Sequence, residues 1–116
     1  MRRNDLAVVE GAAAAIRELG IELEERISRE TRDAEILRMT RETTNQITRV
    51  ANDAIQAYGR ASRAVRGELD RSGADVAAAD AMRERLDAAR AEILDVLRQV
   101  ETRYLARPGG PQTPSD

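Results

Sequence analysis

Carboxylates and guanidinium groups carry almost all the chemistry available to this chain, because histidine and cysteine are both absent. Their absence removes the commonest general base, the commonest metal ligand, the thiolate nucleophile and any disulfide framework. The Glu-x-x-His half-site of carboxylate metal bundles cannot be assembled either. Acids do cluster, at Glu22, Glu24 and Glu25 and again at Asp33 and Glu35. A hard cation such as magnesium or calcium is the one metal that such a set would suit. Successive acids on a helix point to different faces, however, and these have arginine neighbours, so solvated salt bridging is their expected use. Gly11, Gly20, Gly59, Gly67 and Gly73 are scattered and follow no strand, so they do not form a phosphate cradle. No catalytic, cofactor-binding or metal-ligating residue is expected, and the chain reads as a non-enzyme.

Arginine is the more suggestive half of this inventory. All 19 basic residues are Arg, a composition that GC-rich coding favours and that also suits bidentate pairing with phosphate or carboxylate. Between Arg38 and Arg66 stand six arginines, at 38, 41, 49, 60, 63 and 66, against the two acids Glu42 and Asp53. Arg38, Arg49 and Arg60 recur every eleven residues, about three helical turns, which lines them along one helix face. With Arg63 they form a candidate anion-contacting stripe, which would meet phosphates on nucleic acid or an acidic membrane surface. Against that reading, the net charge is −2 and no aromatic side chains are interleaved for base stacking.

Such residues need helices to position them. The three prolines, Pro108, Pro111 and Pro114, all fall in the last nine residues, so residues 107–116 read as a disordered tail behind a single helical domain over 1–106. The break at Arg71-Ser72-Gly73-Ala74-Asp75 has capping-box spacing from Ser72 to Asp75, which predicts a turn at 71–74 and a helix over about 74–106. Upstream, a heptad stripe runs through Leu6, Val9, Ala13, Ile16, Gly20, Leu23 and Ile27. It continues through Glu30, Ala34, Leu37, Arg41, Thr44, Thr48, Ala51, Ile55, Tyr58, Ser62, Val65 and Leu69. Glu22 with Arg26, Glu25 with Arg29, and Arg49 with Asp53 have helical-neighbour spacing.

The fold class is therefore all-α, and two architectures compete. In the first, one long helix over about 5–70 folds against the second helix as an antiparallel hairpin or coiled coil. In the alternative, the polar stretch at 40–45 is a turn and the chain closes as a three-helix bundle. The unbroken heptad and the lack of Gly or Pro near 40–45 favour the long helix. A short second helix would then leave Leu6, Val9, Ile16, Leu23 and Ile27 uncovered. The second helix has its own seam, Ala79, Met82, Leu86, Ala89, Ile93, Val96 and Val100. Its Leu86, Ile93, Val96 and Val100, with the five uncovered residues of the first seam, are the expected partner or oligomer interface. Arg41, Thr44 and Thr48 on the stripe are expected to be exposed or to lie in a turn. Ala54, Ala57, Ala61 and Ala64 would permit close helix approach.

With no Phe or Trp, two Tyr and much alanine, each core position gains little by burial, so another chain is expected to complete it. No run approaches the length of a membrane span, and a cytoplasmic location is the default. The chain is similar in size and helicity to type VII secretion substrates, but its turn, Arg71-Ser72-Gly73, lacks their Trp-x-Gly. Its likeness to phasin-type granule-coating proteins stops at alanine-rich amphipathic helices. The expected role is a non-enzymatic, structural or adaptor-like subunit of bacterial type. It would act as a homo-oligomer or by binding another helical protein, with no cofactor. A nucleic-acid-associated protein using the Arg38–Arg66 stripe is the alternative, and an amphipathic lipid- or granule-surface coat is the second alternative.

Overall fold

Helix-forming residues fill almost the whole of residues 3–105, the span that the computed structural model describes, and they fold as three helices and a short π-helical extension. α1 is Arg3–Ile27, α2 is Asp33–Asp70 and α3 is Val76–Val100, which runs on into the π-turn Glu101–Leu105. No strand occurs among the described residues. The expected tail at 107–116 lies outside them.

The all-α class is as expected, and of the two architectures the molecule adopts the three-helix bundle. The expected single helix over 5–70 is broken, and the break is at residues 28–32 instead of 40–45. Neither Gly nor Pro makes it. The last turn of α1 tightens, with the Arg29 and Glu30 amides donating to the Arg26 and Ile27 carbonyls. The Ser28 hydroxyl donates to the Glu25 carbonyl at 2.7 Å. The Glu30 carboxylate then accepts the Arg32 backbone N–H at 3.0 Å and the Arg32 Nε at 2.8 Å, which holds Arg32 extended (φ −86°, ψ 119°) as the N-cap of α2. Asp33 and Glu35 follow in the first turn, where carboxylates favour a helix N-terminus. Residues 40–45 stay helical, and the Thr40 and Thr44 hydroxyls are accommodated there by donating back to the Ile36 and Thr40 carbonyls, each at 2.8 Å.

The second turn is close to expectation, with one correction. Asp75, not Ser72, caps α3, accepting the Ala78 N–H at 3.1 Å, so the helix starts at Val76 rather than near 74. Gly73 takes φ +77°, a left-handed conformation that only glycine adopts without strain.

Three long-range contacts fix how the helices lie. Arg60 on α2 donates from Nε and Nη2 to Asp5 Oδ1 on α1, at 3.1 and 2.9 Å. The Tyr58 hydroxyl donates to Asp87 on α3 at 2.6 Å. Arg85 on α3 donates to Glu10 on α1 at 3.0 and 2.7 Å. Asp5, Arg60 and Arg85 therefore share one level of the bundle; α2 runs antiparallel to its neighbours and α1 runs parallel to α3. The core between them is Val9, Ala12, Ala13, Ile16, Ile47, Ala51, Ala54, Ala57, Ala61, Val65, Ala79, Leu86, Ala89, Ile93, Val96 and Val100. The alanines among them let the backbones approach closely, as expected of Ala54, Ala57 and Ala61. The α2 stripe is phased differently from the heptad reading: Met39, Thr43 and Ile47 are buried, while Leu37 and Ile55 are exposed; Arg41, Thr44 and Thr48 are exposed, as expected. The molecule measures 62 × 30 × 16 Å.

Candidate interaction site

Val9, Ile16, Leu23, Leu86, Ile93, Val96 and Val100, expected to face a partner, are all buried inside this chain, and Leu6 and Ile27 are half-buried. The correction follows from the break at 28–32. Once α1 folds back on α2, its apolar side is covered by α2 and α3, and no second copy is needed to cover it.

A different apolar surface is left over. On the side of the α2–α3 pair away from α1, a groove runs between Ile55 and Tyr58 of α2 and Arg90, Leu94 and Leu97 of α3. Its floor is Ala51, Ala54 and Ile93, with Val9 of α1 beneath. Ile55 is 65 % and Leu94 47 % exposed. The two alanines in the floor, between large rim residues, make a recess, the shape that receives a side chain from another helix. The groove continues past Tyr58 toward the α2–α3 turn, where Ser62, Val65, Arg66, Leu69, Arg83, Leu86 and Asp87 line it.

Tyr58 divides the two halves. Its hydroxyl donates to Asp87 across the groove, and the Arg90 guanidinium sits 6.0 Å from its ring centroid, within cation–π range. The hydrogen bond to the Asp87 carboxylate, and then burial, push the phenol above its ordinary value of 10.0.

The heptad reading takes Ile55 and Tyr58 as seam residues and misses Leu94, Leu97 and Arg90 altogether. The signal is present as the doublets Ile93-Leu94 and Val96-Leu97. Adjacent residues on a helix stand about 100° apart, so one apolar stripe cannot take both members of a doublet.

The arginine stripe is brought onto one surface, the solvent side of α2, where Arg38, Arg49, Arg60 and Arg63 are all exposed. Two of the four are occupied. Arg38 pairs with Glu35 and Glu42, and Arg60 with the buried Asp5. Arg49 and Arg63 have no carboxylate within ion-pair distance among the described residues, nor have Arg41 and Arg66. The expected pairs Glu22–Arg26, Glu25–Arg29 and Arg49–Asp53 are not formed. Within α3, Arg83 pairs instead with Asp80 and Arg98 with Asp95, and Arg71, just past the end of α2, pairs with Glu68.

Among the described residues, no three carboxylates converge into a group that could hold a metal ion, and no helix is long and apolar enough to cross a membrane. The chain matches no family model, and no curated protein or solved structure resembles it closely enough to count as a match.

Proposed function

We propose that this is a non-enzymatic helical interaction protein that takes a helix of another protein into the groove between α2 and α3. The observation that carries the reading is the pairing of Ile55 and Leu94, two large apolar side chains left in solvent on opposite rims of an alanine-floored recess. Exposed apolar surface with a shaped recess marks a recognition site, and a helix-in-groove contact reuses the packing that builds the bundle itself. Self-association through the residues of the two seams is not carried forward, because those residues already pack on one another. The lipid-coat reading loses its surface for the same reason, since α1 has its apolar side inside the bundle.

The test is titration with amphipathic helical peptides, followed by calorimetry, on the native chain and on an Ile55→Asp/Leu94→Asp double variant. Both positions are exposed, so the variant should keep its helicity by circular dichroism. Binding by the native chain that weakens about tenfold or more in the variant supports the reading. Equal binding by both proteins would remove the groove from consideration.

A second reading rests on Arg41, Arg49, Arg63 and Arg66, which have no acid partner on the outer face of α2. Affinity for a short DNA duplex that falls steeply with salt, and falls again when Arg49 and Arg63 become Gln, would support nucleic-acid contact. Salt-independent or undetectable binding would dispose of it.

A further inference from the structure

The charges around the groove go further than its shape, and from them we infer that its occupant is an acidic amphipathic helix of a partner protein rather than a second copy of this chain. The inference rests on the groove being the docking site. Four ionised side chains line its two halves: Arg66, Arg83 and Arg90, and the single acid Asp87. Asp87 is engaged by the Tyr58 hydroxyl, and Arg83 is paired with Asp80. Arg66 and Arg90 have no carboxylate within ion-pair distance among the described residues, and Arg90 rests over the Tyr58 ring. The groove thus presents an apolar centre with three guanidinium groups to one carboxylate, two of them, Arg66 and Arg90, making no ion pair.

Their spacing gives the partner a pattern. The Tyr58–Asp87 bond sets the register, so Arg90 stands level with Ile55, eleven residues before Arg66. Eleven residues are about three turns, or roughly 16 Å of helix. A docked helix would place one bulky apolar residue between Ile55 and Leu94, above Ala51 and Ala54. It would bring carboxylates to Arg90 and Arg66 about three turns apart, each a bidentate contact that lysine in the same place would not reproduce.

A second copy fits poorly for two separate reasons. If two molecules met groove to groove, each would bring the same excess of guanidinium groups, three to one carboxylate, into the interface, and like charges there are unfavourable. If instead the outer, acid-bearing face of α1 entered the groove of another copy, the contact would be head to tail. α1 lies beneath the groove floor, through Val9, so its outer face and the groove point in opposite directions. Such a contact cannot close as a twofold dimer and would keep adding copies, as a ring or a filament.

The experiment uses two synthetic peptides of roughly 18 residues, about 27 Å as helices. They share one leucine stripe; one flanks it with Glu and the other with Lys. Calorimetry against the full chain should show the Glu peptide binding about tenfold tighter or more, with the preference shrinking at high salt. Arg66→Glu combined with Arg90→Glu should invert the preference, and Ile55→Asp should weaken both peptides. If the two peptides bind alike and both are lost in Ile55→Asp, the groove reading stands and the acidic partner is overturned. If neither peptide binds, both readings fall. If the chain sediments as an oligomer that Ile55→Asp dissociates, the occupant is a second copy and the inference is wrong.

Discussion

Asp5 is the only ionisable side chain buried in the bundle among the described residues, and Arg60 covers it from α2 with two donors to one oxygen. A buried carboxylate without its partner keeps its desolvation cost while losing the compensating bond. Arg60→Gln is accordingly expected to destabilise the fold by about 1–3 kcal/mol in urea denaturation, while Arg63→Gln, three residues on and unpaired, should stay within about 0.5 kcal/mol. Tyr58 poses the converse case of a group whose neutral form is favoured. Its pKa is raised by the Asp87 bond, so the folded state holds the phenolic proton more tightly than the unfolded chain. The stabilising contribution is complete below the ordinary value of 10.0 and is lost as pH rises through the higher folded value. Following tyrosinate absorbance in a Tyr104→Phe background should show ionisation above that ordinary value, and Asp87→Asn should bring it back down.

At the scale of elements, the instructive segment is Ser28–Arg32. The periodicity runs through it, and it holds no Gly or Pro, so the three-helix count is legible only as the alternative. What ends α1 is local side-chain bonding from Ser28 and Glu30, and sequence spacing shows such bonds poorly. Glu30 on the apolar stripe is the one visible cue, and by periodicity alone it looks like a weak seam position instead of a helix end. The α2–α3 turn is legible, because Gly73 and Asp75 have conformational and capping roles that residue type alone reveals. The groove is half legible, in the apolar doublets of α3, while the phase of α2 is obscured by how many of its core residues are alanine. The 28–32 turn carries a pH dependence. Hydrogen bonds from the Arg32 side chain and backbone lower the Glu30 carboxyl from 4.5 to about 2. The clasp is therefore complete above pH 4.5 and is lost as pH falls through about 2. An NMR titration should find that depressed midpoint, and Arg32→Gln should return it toward 4.5. Gly11 and Gly67 offer a simpler check on the helices: both lie inside them, with nothing within 4 Å of the place a β-carbon would take. Gly11→Ala and Gly67→Ala should each stabilise by about 0.5–1 kcal/mol, read as a rise in Tm.

For the molecule as a whole, unequal helix lengths matter more than the core's composition. α2 has 38 residues against 25 each for α1 and α3, and the Arg60–Asp5 and Tyr58–Asp87 contacts place its neighbours out of step. By that register α1 lies along residues 38–62 of α2 and α3 along 45–69, so only the middle of α2 is covered from both sides. The two ends of one continuous helix are thus held by one neighbour each, and they are expected to open independently of the middle and of each other. Amide hydrogens should record this stagger as a peak of protection: slowest exchange around Ile47–Ala61, faster toward Asp33 at one end and Asp70 at the other. A flat profile along α2 would mean that the helix opens only as a unit. A peaked one would mean that its ends fray while the middle, from which Ile55 and Tyr58 project into the groove, stays closed.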